Sequence, residues 1–149
     1  MKEKNRSNKL HYLLHSAALI EKCLTTQLKT LGLGPRQARV IDALNRMGST
    51  SQAELARECG ITAASMSTMT SRLISAGYIT RKTDPLEMRR NTLTLTDLGL
   101  SLLNDIKKKW TEVDHIIENA IGVEESKTLA HLTRELRNAL GGRAPGTGS

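Results

Sequence analysis

Leu10, Leu13, Leu14, Ala17, Ile20, Leu24 and Leu28 recur at steps of three and four, which aligns them on one stripe and predicts a helix from about Asn8 to Leu31. Gly32, Gly34 and Pro35 end it. The same spacing in Val40, Ile41, Leu44 and Met47 predicts a second helix over Arg36 to Met47. Ser51 and Glu54 then stand at the spacing of a capping box, in which hydroxyl and carboxylate each satisfy an orphan backbone N–H, so a short helix is expected over Gln52 to Cys59. Gly60 suits a left-handed helix end and Thr62 can cap the next helix, Ala63 to Ala76. Two helices joined by so short a turn predict a helix-turn-helix.

Beyond Gly77 the period changes to two. Ile79 then Arg81, and Leu93 then Leu95 between threonines, predict two strands of a β-hairpin enclosing a loop from Thr83 to Arg90. Thr96 and Asp97 open a further helix whose apolar residues Leu102, Leu103, Ile106, Trp110, Val113, Ile117 and Ile121 continue for about seven turns. After Gly122 a last helix carries Leu129, Leu132, Leu136 and Leu140, a seam like that of helices packed in a bundle. One small domain lacks the core to cover so long a stripe, so a partner surface is expected. The tail GGRAPGTGS is expected to be disordered. The fold class is therefore mainly α with a small β-hairpin wing. Its expected divisions are 1–34, an N-terminal helix for dimerisation; 35–98, a winged helix-turn-helix lobe; 99–140, two more dimerisation helices; and 141–149, the tail.

Composition narrows the picture. The 149 residues include no Phe and a single Trp110, so the core must be aliphatic. The net charge of +7 favours a polyanionic partner, nucleic acid or an anionic membrane face. No stretch approaches the roughly 18 apolar residues of a membrane span, and the opening MKEKNRSNKL is unlike a signal peptide, so a cytoplasmic protein without membrane contact is expected. Cys23 and Cys59 lack CxxC spacing, which points to small buried apolar residues and to neither a disulfide framework nor a zinc site. No nucleophile–base pair, phosphate-binding glycine loop or metal triad stands out. The chain is expected to be no enzyme and to need no cofactor.

Thr62 to Arg72 is the candidate reading surface. Met66, Met69 and Leu73 share the inner face of their helix, which leaves Ala64, Ser65, Thr68, Ser71 and Arg72 outward. A B-DNA major groove, about 12 Å wide, admits one helix and offers base edges that short polar side chains can read. Small residues at Ala63 and Ala64 permit close approach, and a helix N-terminus favours a phosphate. The competing reading is an ordinary solvated face. The hairpin favours DNA, because Arg89 and Arg90 stand on its tip with Arg81 and Lys82 at its base, and arginine exploits the negative potential of a narrow minor groove. Glu87 can hold the Arg89 guanidinium in a bidentate pair and aim it.

The order of elements, the run SQAELARECGITAASMSTMTSRLISAGYITRK and the wing ending EMRRNTLTLT resemble the MarR family of winged helix-turn-helix transcriptional regulators from Leu10 to Leu140. The family's wing signature has an acidic residue, any residue, Arg, five residues and Leu-Thr; Glu87, Arg89, Leu95 and Thr96 fill those places, with Glu where Asp is usual. The resemblance implies a single MarR-type domain in a homodimer whose first and last two helices interlock. Two-fold symmetry would set the recognition helices about 34 Å apart on double-stranded, pseudo-palindromic DNA. It also implies a repressor released by a small-molecule effector, often an aromatic or phenolic carboxylate. A coenzyme A thioester of such an acid is a further candidate.

By position, Ser67 and Arg81 match polar residues that line a salicylate site in the family's namesake. Arg81 serves equally as a phosphate contact. His11 and His15, four apart on the first helix, could hold an effector carboxylate or two corners of a metal site, or could be hydrogen-bonded interface histidines. Some relatives sense peroxides with a cysteine near the start of that helix; here His11 holds the place and Cys23 lies about three turns further on. A redox- or metal-responsive regulator of the same fold, or an architectural DNA-binding protein without effector, are the competing functions. Lys107 to Lys109 spread around their helix as a solvated face.

Overall fold

The structure, a computed structural model, describes residues 8–83, 85–86 and 91–147. Helix α1 runs over Lys9–Lys29 and α2 over Pro35–Met47, with the Gly34 N–H donating to the Gln37 side chain at 3.0 Å to start α2. A two-residue strand β1, Thr50–Ser51, precedes α3, Gln52–Cys59. Then follow α4, Ala63–Ser75; β2, Ile79–Thr83; β3, Asn91–Leu95; α5, Asp97–Ile121; and α6, Val123–Ala139. The expected mainly helical fold with a β wing is present.

The sheet is antiparallel in the order β1-β3-β2, with Ile79 opposite Leu95 and Arg81 opposite Leu93. Strand β1 pairs Thr50 with Leu93 and Ser51 with Thr92. No periodicity announces a two-residue strand; pairing creates it.

One aliphatic core gathers α2, α3, α4, the sheet and the first half of α5. Val40, Ile41, Leu44, Leu55, Met66, Leu73, Ile79, Leu93 and Ile106 are all buried there, joined by Leu28 from the end of α1. Burying each such side chain contributes roughly 1.5–3 kcal/mol. Trp110 packs on the edge of this core, half-buried. Helix α6 buries none of its residues, and Leu10, Tyr12 and Leu14 of α1 are exposed.

Two expectations change. Ser51 caps α3 by accepting from the Glu54 N–H at 3.1 Å, but the Glu54 carboxylate does not return to Ser51: it accepts from the Thr50 hydroxyl at 2.9 Å. Thr50, 4 % exposed and paired with Leu93, presents that hydroxyl to Glu54, so half of the expected capping box is redirected. The second concerns the tail expected to be disordered. Over 141–147 it is folded, with Pro145 buried and Arg143 paired to Glu58 of α3 at 2.7 Å.

Candidate nucleic-acid interface

Helix α4 owes its position to its ends. Gly60 takes the left-handed conformation that stops α3, at φ 63° and ψ 35°. Two residues later the Thr62 hydroxyl accepts from the Ser65 N–H at 3.2 Å and starts α4. Met66, Thr70 and Leu73 then face the core, with Met69 half-buried. The opposite side exposes Ala63, Ala64, Ser65, Ser67, Thr68, Ser71 and Arg72, so the predicted reading surface is open as a set. The Thr68 hydroxyl donates to the Ala64 carbonyl at 3.3 Å, which engages its proton and leaves its lone pairs as acceptors.

The wing beside α4 is fastened at its base. Thr96 caps α5 by accepting from the Gly99 N–H at 3.0 Å, while its own hydroxyl donates to Gly77 O at 2.6 Å and its N–H to Tyr78 O at 3.1 Å. A Cβ on Gly99 would lie 2.2 Å from the Tyr78 carbonyl oxygen, so only glycine permits this approach of hairpin and α5. No local pattern in the sequence marks that requirement. Lys82 is exposed on β2, and its carbonyl accepts from the Thr92 hydroxyl at 3.4 Å. Arg81, on the same strand face as Ile79, donates to the Gln52 side-chain oxygen at 3.0 Å and so ties the wing to the start of α3. The tip residues Glu87, Arg89 and Arg90 lie outside the described residues, and with them the expected Glu87–Arg89 pair.

The four effector candidates are dispersed over three elements. His11 and His15 are exposed on α1, Ser67 is exposed on α4, and Arg81 is engaged with Gln52. A cavity of about 500 Å³ lies instead between α1, α5 and α6, lined by Leu13, Ile20, Ile117 and Ala130 with Asp114 and Lys127 among its polar residues, and none of the four lines it. Among the described residues no group of three His, Cys, Asp or Glu could hold a metal ion. Burial pushes the Cys59 thiol up against the opposing pull of Arg39, which disfavours the reactive thiolate. No described helix is long and apolar enough to cross a membrane.

A family model described as MarR family matches residues 31–90, the span from just after α1 to the residue before β3. An HTH-type transcriptional regulator of Bacillus subtilis (strain 168), YcgE, is 36% identical over 84 residues, which are 56% of this chain and 54% of that protein. The chain thus matches about half the length of that relative. Wild-type MarR from E. coli in its apo form superimposes with a TM-score of 0.76 at 19% identity, covering 85% of this chain and 95% of that one. A mutant of the same E. coli protein complexed with operator DNA gives a TM-score of 0.71 at 19% identity, over 85% and 92% of the two chains. At such identity the likeness to these two structures speaks for the fold alone.

Proposed function

We propose, because a MarR family model matches residues 31–90, that this chain is a cytoplasmic, homodimeric, sequence-specific DNA-binding transcriptional regulator and no enzyme. The observation that carries the reading is the two-sided character of α4. Its inner residues are locked into an aliphatic core, while its outer face is an exposed run of small, hydroxyl-bearing and cationic side chains. Such a helix can enter a major groove, where Thr68 and Ser65 exchange hydrogen bonds with base edges and Arg72 meets a base or a phosphate. Thr62, Ala63 and Ala64 would lie closest to the backbone, with Ser71 toward the opposite strand. Lys82, Arg89 and Arg90 of the wing would follow the adjacent groove, with Glu87 aiming Arg89. The structural relative bound to operator DNA shows that the shared fold can serve this use.

Dimerisation is inferred from exposed apolar surface. Leu10 and Leu14 of α1, Leu129, Leu132 and Leu136 of α6, and Leu140 just after it form an uncovered band too extended for a monomer. The groove between α1, α5 and α6 would receive the same helices from a second copy. Two α4 helices would then meet successive major grooves about 34 Å apart. Repression, and release by an aromatic carboxylate or its coenzyme A thioester at Ser67, Arg81, His11 and His15, complete the proposal. Such an effector acts only through differential affinity for the two lobe spacings.

Selection of duplexes from a random-sequence pool, followed by titration at several salt concentrations, tests the DNA half. Recovery of a two-fold symmetric site is expected; recovery of no preferred sequence refutes sequence-specific binding. Thermal melting against aromatic carboxylates and their thioesters tests the effector half, which fails if no compound shifts the midpoint.

A further inference from the structure

The sequence after α6 forms a turn with a defined docking place. Gly141 N–H bonds Asn138 O at 3.0 Å and Gly142 N–H bonds Arg137 O at 2.9 Å, which closes α6 and redirects the chain toward the lobe. Ala144-Pro145-Gly146-Thr147 has proline second and a glycine at φ +78° third, the residue order a type II turn requires, and Thr147 N–H donates to Ala144 O at 3.2 Å across it. Pro145 is buried. Gly146 lies so close to α2 that a Cβ there would meet Met47 Cγ at 2.9 Å and Arg46 Cβ at 3.2 Å. Glu58, at the end of α3, accepts from Arg143 at 2.7 Å and from the Gly146 N–H at 3.2 Å, and Arg143 also donates to Thr147 O at 2.8 Å.

These contacts join two regions that are otherwise linked through α1 and α5. Helix α6 belongs to the uncovered apolar band, whereas α2 and α3 belong to the lobe that presents α4. We propose that residues 141–147 are a clasp that holds the lobe to α6, with Glu58 and Arg143 as its positioning pair, so that the spacing of the two α4 helices in the dimer is set from behind the lobe as well as through α5. The clasp rests on the DNA-binding dimer proposed above. Its ion pair joins an exposed arginine to a half-buried carboxylate, a contact weak enough to suit a restraint that a conformational change must release.

Charge exchange tests it. Glu58→Arg, Arg143→Glu and the double exchange are compared with wild type by affinity for a duplex that the wild type itself selects. Hydrogen exchange over 43–47 and 55–59 is followed alongside, and circular dichroism confirms the fold. Each single change should weaken DNA binding about two- to five-fold, the range an exposed ion pair can transmit, and should speed exchange in both segments; the double exchange should restore both. Net charge alone predicts something different, because Glu58→Arg adds positive charge and Arg143→Glu removes it, so the two would move affinity in opposite directions. Opposite shifts, unchanged exchange, faster exchange with unchanged affinity, or a double exchange that restores neither would each overturn the positioning role. A wild type that selects no duplex would refute the DNA-binding reading itself, and the exchange arm would still report whether the clasp forms. Gly146→Val, which alters no charge, should reproduce the single-variant effects; wild-type exchange and affinity in that variant would count against the docking of the turn.

Discussion

The lobe from α2 to β3 and the band formed by α1 and α6 use the same aliphatic residues to opposite ends. In the lobe Ile41, Leu44, Leu55 and Leu93 are at most 1 % exposed, whereas Leu132 on α6 is 58 % exposed and Leu10 on α1 is 60 % exposed. Leucine at helical spacing therefore predicts a helix in both places but says nothing of what covers it. Within one chain the lobe's leucines are closed into a core, and those of the band stay exposed.

Truncating one leucine in each region should separate these roles. Leu55→Ala should cost about 2–5 kcal/mol, because it leaves a cavity in a closed core, and the loss should be the same at every protein concentration. Leu132→Ala should instead lower the melting temperature by an amount that depends on concentration, since a residue acting through association stabilises by mass action. Melting curves over a hundredfold dilution series check both, and a concentration-independent Leu132→Ala would dismantle the contrast. Leu136→Glu sharpens it: the charged side chain should leave a monomer on a sizing column while the lobe keeps its helical signal.

The junction between the two regions comes next in size. Gly99→Ala drives a methyl into the Tyr78 carbonyl at the start of α5, and the overpacking should cost about 1–3 kcal/mol. The hairpin base should move with it, so DNA affinity should fall further than the stability loss alone explains. A variant with wild-type melting would mean that hairpin and α5 are not held together there.

Much of this arrangement was legible from local signals, and what was not is consistently nonlocal. Gly60, Thr62 and Thr96 announce helix ends because a cap is decided within four residues, and the observed ends follow. The outward set Ala64, Ser65, Thr68, Ser71 and Arg72 follows from three- and four-residue spacing alone. Strand β1 and the need for glycine at Gly99 both arise from contacts between segments far apart in sequence. Ala144 to Thr147 fell within the tail expected to be disordered, and nothing local in it names Met47 and Glu58 as the place it docks. Ser67 and Arg81 came from the family resemblance and His11 and His15 from their four-residue spacing, and none of the four lines the cavity between α1, α5 and α6.

On the α4 surface, Arg72→Ala should reduce affinity for a selected duplex by about 1–3 kcal/mol without changing the melting temperature. Arg72 is exposed, so stability and binding should separate cleanly at this position. A loss uniform across sequences with a shallower salt dependence would assign it to a phosphate; a loss confined to one base position would assign it to a base edge. Unchanged affinity would remove Arg72 from the interface.

The smallest effect belongs to the contact that crosses between the regions. The Arg143 guanidinium, followed by the Gly146 N–H, holds the Glu58 carboxyl below its ordinary range, against the opposing effect of burial. A depressed carboxylate stabilises the fold above its unfolded-chain pKa, and the contribution disappears as pH falls through the lower folded value. Wild type and Arg143→Ala should therefore differ in melting temperature near neutral pH; the gap should begin to narrow below about pH 4.5, the ordinary value, and close as pH falls through the lower folded value at which Glu58 becomes protonated. Ordinary loss of packing at residue 143 would leave the gap constant with pH. A gap that closes on acidification requires Glu58 to be the partner, and one that also narrows with added salt identifies the partner's contribution as charge.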